Sequence, residues 1–91
     1  MSQADNEADE AFTHEKLLEA IENQLADGSP AAAQATLNKL TLVGYERADS
    51  LDLMAQVLAF HINRMLEQDA PFDLEGYEQS LRNLPDLPDK D

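Results

Sequence analysis

Apolar residues recur at helical spacing in four stretches between Phe12 and Leu84, and no stretch alternates with the two-residue period of a strand. Leu17, Leu18, Ile21 and Leu25 form the first stripe and predict a helix from about His14 to Asp27. Thr13 is its expected N-cap, and Phe12 is placed to pack on Leu17 as a hydrophobic staple. The reciprocal capping box is missing, because Lys16 stands where Glu or Gln would be needed. Gly28 supplies the stop, a left-handed position that glycine adopts cheaply.

The second helix is expected to begin with Ser29 as N-cap and Pro30 at the first helical position, and to end at Gly44. Its buried face reads as Ala33, Leu37, Leu40 and Val43. The connection before it is so short that helices one and two are expected to fold back as an antiparallel hairpin. The third helix starts between Glu46 and Ser50, with Asp49 the best N-cap candidate, and runs to about Gln68, ahead of Pro71. The fourth covers Leu74 to Leu84: Asp73 caps it, Phe72 is set to pack on Tyr77, and Pro85 closes it. Its stripe is Leu74, Tyr77, Leu81 and Leu84. The pattern predicts an all-α fold, a small four-helix bundle with a long central third helix and a short fourth.

The third helix carries more apolar surface than an amphipathic helix needs. At about 100° per residue, Asp52, Gln56, Asn63 and Glu67 share one narrow polar sector. Leu51, Met54, Ala55, Leu58, Ile62, Met65 and Leu66 cover the opposite side, and Leu53, Val57 and Phe60 extend it round a second flank. Such an arc is wider than the stripe of a surface helix. Either the helix is central and covered on most sides, or the flank formed by Leu53, Val57, Phe60, His61 and Arg64 is a candidate interface for another chain.

Charge narrows the classes of partner. The chain has 91 residues with 19 acids against 6 bases, a formal net charge of −13. That argues against nucleic acid as a partner, since a phosphate backbone is held by clustered Lys and Arg, and against an anionic membrane surface. Residues 1–12 and 85–91 read as disordered tails, rich in acids and poor in branched apolar residues, flanking a helical domain over 13–84. With no cysteine, disulfides and thiolate chemistry are excluded. No basic-then-apolar leader opens the sequence and no apolar run is long enough for a membrane span, so a cytoplasmic location is expected.

Candidate chemistry is sparse. His61 lies on the apolar flank of helix three, where it must find a hydrogen bond; as a metal ligand or general base it would need partners at fitting spacing, and Glu-x-x-His, His-x-x-x-His and calcium-loop patterns are all missing around it. His14 stands alone at the start of helix one. Glu15, Glu19 and Glu22 share a face of that helix and read as solvated, since di-metal bundles need Glu-x-x-His pairs on facing helices. No catalytic, cofactor-binding or metal residue is assigned.

From Ala35 to Leu87 the chain resembles small uncharacterised bacterial helical proteins. The residues that carry the likeness are Leu37-x-x-Leu40, Gly44, the apolar run from Leu53 to Leu58, His61, Pro71-Phe72-Asp73, Tyr77, Leu81 and Leu84-Pro85. The resemblance implies an all-helical bacterial cytoplasmic protein without an assigned reaction, and it transfers no catalytic residue. The expected function is therefore a non-enzymatic protein-interaction module, self-associating through helix three as a homodimer. The alternative is an acidic mimic that occupies the nucleic-acid site of a basic protein. A His61-centred metal or catalytic site is the third possibility.

Overall fold

A computed structural model describes residues 13–88 as four helices: α1 (His14–Asp27), α2 (Ala31–Leu42), α3 (Arg47–Gln68) and α4 (Leu74–Asn83). The chain is an all-α four-helix bundle with one long helix and one short one. Phe12 and the acidic N-terminal segment, like residues 89–91, lie outside the described residues, so the staple on Leu17, the whole N-terminal tail and the last three residues of the C-terminal tail do too. Leu87, in the segment read as a tail, is partly buried against the core.

Three of the four helices end by the same device. In the Schellman motif, one N–H reaches back across six residues to a free carbonyl while the residue before it takes positive φ. Ser29 N donates to Gln24 O across Gly28, which sits at φ 72°. Tyr45 N donates to Leu40 O across Gly44, at φ 107°. Ala70 N donates to Met65 O across Asp69, the one non-glycine residue at positive φ among those described, at 52°. Both glycines are legible as stops, whereas an aspartate in the same role is not.

A left-handed backbone without glycine costs roughly 1 kcal/mol or more. Gly28→Ala and Gly44→Ala are therefore expected to destabilise by about that amount, Gly44 the more, since φ 107° lies outside the region an L-residue tolerates. Asp69→Gly is expected to stabilise by up to about 1 kcal/mol. Urea denaturation of the three variants checks both signs at once.

The helix starts differ from expectation at two places. Thr13 caps α1 as expected, its hydroxyl accepting from Lys16 N at 3.3 Å, and Asp73 caps α4, accepting from Gly76 N at 3.1 Å. At α2, however, Pro30 rather than Ser29 occupies the cap position, with extended φ −75° and ψ 153°, and no side chain caps the helix. At α3, Glu46 holds the cap position and Asp49 lies in the first turn. The turn closed by Gly44 and Tyr45 leaves the chain ready to restart at once, so the helix begins before Asp49 is reached. Asp49 instead places its charge at the positive end of the helix dipole.

The core is built on α3, which supplies Leu51, Met54, Ala55, Val57 and Leu58 and touches each of the other helices. Around it pack Leu17 and Ile21 of α1, Ala32, Ala33, Leu37 and Leu40 of α2, and Tyr77, Leu81 and the following Leu84 from α4. The most extensive contact of α1 is with α3, while α2 packs chiefly against α4 and α3; the contact between α1 and α2 is the smallest of the five main ones. Two side-chain contacts show how α1 lies on α3: His14 Nε2 is 2.7 Å from Asp52 Oδ1, and Glu22 pairs with Arg47 through two hydrogen bonds of 2.9 and 3.0 Å. The later residue of α1 meets the earlier one of α3, so the two helices run in opposite senses where they touch.

Three apolar positions expected to face inward are on the surface, among them Leu66 near the end of α3, 56% exposed. Val43 is 61% exposed, because α2 ends at Leu42 and the chain leaves the helical path before Val43 can turn inward. Leu74 is 50% exposed at the first position of α4, where Phe72 from the preceding loop takes the place beside Tyr77, with ring centroids 5.5 Å apart. Thr36 and Ser50 are buried instead, their hydroxyls without a hydrogen-bond partner.

Candidate interaction surface

The flank of α3 that the sequence singles out divides between interior and surface. Val57 is fully buried and His61 is 7% exposed, so both belong to the core. Leu53 and Phe60 are half-buried and Arg64 is exposed, its guanidinium carbon 5.6 Å from the Phe60 ring centroid. The width of the apolar arc is thus largely accounted for by the three helices packed around α3.

His61 is held by what surrounds it. Its Nε2 shares a hydrogen bond of 2.9 Å with Ser80 Oγ, and the rings of Phe60, Phe72 and Tyr77 meet it edge to face at 5.2, 6.3 and 6.0 Å. Tyr77 donates to Gln24 Oε1 at 2.8 Å, tying α4 to α1, and burial pushes its phenol up to about 12. This aromatic cluster fastens α4 to α3. A serine beside a histidine has the outline of a nucleophile and its base, but that chemistry also needs a group that orients the other ring nitrogen and donors for an oxyanion. Among the described residues no carboxylate is hydrogen-bonded to His61, and no group of three or more His, Cys, Asp or Glu is arranged to hold a metal.

Burial lowers the proton affinity of the His61 imidazole; Asp73 raises it and Arg64 lowers it, each by less. A base whose folded pKa lies below its unfolded value is bound to fewer protons in the folded state, so stability rises with pH between the two values. His61 contributes its full share above about pH 6.5 and loses it as pH falls below that. The thermal midpoint is expected to drop between pH 7 and 5, and His61→Gln to flatten that slope; an unchanged slope in the variant would place the titration elsewhere.

The surface feature that sequence reading missed is on α2. Its exposed residues are Ala31, Gln34, Ala35, Asn38, Thr41 and Leu42, and none carries a charge. Lys39, half-buried at the border of that face, donates to the carbonyl oxygen of Arg82 at the end of α4. Gln34 donates to Asn38 Oδ1 at 3.0 Å along the same face. Leu42 is 85% exposed and stands with Val43 at the α2–α3 corner, where an open groove of about 860 Å³ is lined by Leu37, Asn38, Thr41, Leu42, Tyr45, Glu46 and Arg47. The signal was available: from Gly28 to Tyr45 there is no acidic residue, in a chain that has 19 of them. A search for helical stripes finds buried faces and passes over an exposed face that is merely uncharged.

No helix among the described residues is long and apolar enough to cross a membrane. No family model matches the chain, and no curated protein or solved structure matches it either.

Proposed function

We propose that this chain is a non-enzymatic protein-interaction module that associates with itself, acting in the cytoplasm as its resemblance to small bacterial helical proteins implies. The observation that carries the reading is the α2–α3 corner, where Leu42 and Val43 are the two most exposed large apolar side chains among those described. Isolated apolar residues on a surface are ordinary; adjacent ones beside an open groove mark a contact region. The α3 flank of Leu53, Val57, Phe60, His61 and Arg64 serves less well, with two of its five members in the core. The antiparallel α1–α2 hairpin expected from the sequence is not required by this reading, which uses the outer face of α2 and the corner that follows it.

Sedimentation velocity of the full chain over a wide concentration range tests the proposal. A weight-average mass rising from one copy towards two supports it; a single-copy mass at every concentration overturns it.

The acidic-mimic reading rests on a different face, the shallow concavity lined by Glu15, Lys16, Leu18, Glu19 and Glu22 on α1. Glu22 already pairs with Arg47, which holds its carboxyl below the usual range and leaves less free charge there. Salt-sensitive binding of a basic nucleic-acid-binding protein, lost on Glu15→Gln with Glu19→Gln, would favour that reading.

A further inference from the structure

We propose that two copies of this chain pair through α2, antiparallel about a two-fold axis, with Ala31, Ala35, Asn38 and Leu42 as the shared seam. The inference rests on the self-association reading and specifies its interface.

The spacing is the first argument. Positions 31, 35, 38 and 42 are separated by four, three and four residues, the alternation that keeps one seam of a helix facing a partner helix. All four are exposed although the buried side of the same helix is fully occupied by Ala32, Ala33, Thr36, Leu37 and Leu40. The helix therefore has a second contact-type face left over after the core is built. Ala31 and Ala35 allow close approach of two backbones, Leu42 supplies an apolar knob at the end, and Asn38 is a single polar residue of the kind that fixes register in a helical seam.

Charge selects the occupant. Two copies carrying −13 each repel wherever their acids meet. The outer faces of the other helices bring such acids: Glu15 and Glu19 on α1, Glu67 on α3, Glu75 on α4. An isologous interface places a patch against itself, so it must tolerate its own charge. The uncharged α2 face does so. An antiparallel arrangement also sets the two helix dipoles in opposition. It brings the N-terminal end of one α2 towards the C-terminal end of the other. An independent acid-seeking or base-seeking partner would want charge on this face, and none is there.

The size of the face sets the strength. A three-turn helix buries less than the roughly 800 Å² per partner of a standard interface, so the pair is weak and concentration-dependent. Because net repulsion opposes it, association tightens as salt is added, opposite to the behaviour of a contact held by charge attraction.

The experiment is sedimentation equilibrium of the full chain at low and high salt, for wild type, Asn38→Glu and Leu42→Glu. Both positions are exposed, so the variants keep the helical circular dichroism of wild type. Asn38→Glu is expected to weaken the dimer by about tenfold or more, since two carboxylates come close near the two-fold axis. Leu42→Glu is expected to weaken it through loss of the apolar knob at each end of the seam, and wild type is expected to dimerise more tightly at high salt. A wild-type dimer that both variants leave at full strength overturns the α2 seam while self-association stands. A wild-type chain that stays monomeric throughout overturns both. Association that weakens with salt contradicts the uncharged seam and points to a charge-driven contact.

Discussion

Tyr77→Ala is expected to cost about 3–5 kcal/mol, enough to unfold much of the population of a domain this small at room temperature. The ring is 1% exposed and lies against both Phe72 and His61, with centroids 5.5 and 6.0 Å away. Its removal leaves a cavity between α3 and α4 and strips His61 of one of its aromatic neighbours. It also deletes the hydroxyl that donates to Gln24 Oε1, a tie between α4 and α1. Tyr77→Phe separates the two contributions: it keeps the packing and loses only the hydrogen bond, for an expected cost of about 1 kcal/mol. Chemical denaturation monitored by circular dichroism checks both values. Equal costs for the two variants would mean that the hydroxyl, not the ring, holds α4 in place.

Val57→Asp and Phe60→Glu are expected to behave in opposite ways, although both residues lie on the same flank of α3. Val57 is fully buried, and an unpaired carboxylate there is more expensive than the whole stability of a domain this size. The chain is expected not to fold. Phe60 is half-buried and has Arg64 over its ring, so a glutamate can turn to water and meet the guanidinium. Its expected cost is the lost packing, about 1–2 kcal/mol, with the helical content kept. A folded Val57→Asp variant would contradict the placement of α3 at the centre of the bundle.

The contrast also shows where sequence reading reaches and where it stops. The four helices, the Thr13 and Asp73 caps, the two glycine stops and the contact of Phe72 with Tyr77 follow from local rules, because each depends on residues close together in the sequence. The helix ends that went differently depend on the chain before them. Val43 fits the buried stripe by angle, but the turn at Gly44 ends the helix one residue too early for it. Asp49 is a good cap by type, yet the restart after Tyr45 makes a cap there unnecessary. The arc of α3 is legible as too wide for one neighbour; which side each neighbour covers is set by long-range packing that a periodic pattern does not encode. Thus Val57 and His61 could be read as a contact surface until α4 is seen to lie over His61 through Ser80 and Tyr77. The α2 face is the converse case, because exposure of small uncharged residues has no period of its own. It becomes visible only against the acidity of the rest of the chain.

The seam proposed for α2 can be tested without altering its charge. The chain has no cysteine, so a single introduced thiol reports alone. Asn38→Cys puts that thiol near the middle of the seam, and Gln56→Cys puts one on the exposed polar side of α3. Under mild oxidation at a concentration where the wild type associates, Asn38→Cys is expected to form a disulfide-linked dimer well ahead of Gln56→Cys, and to do so faster as salt is raised. Cross-linking of Asn38→Cys no faster than that of Gln56→Cys would contradict the pairing of two copies through α2.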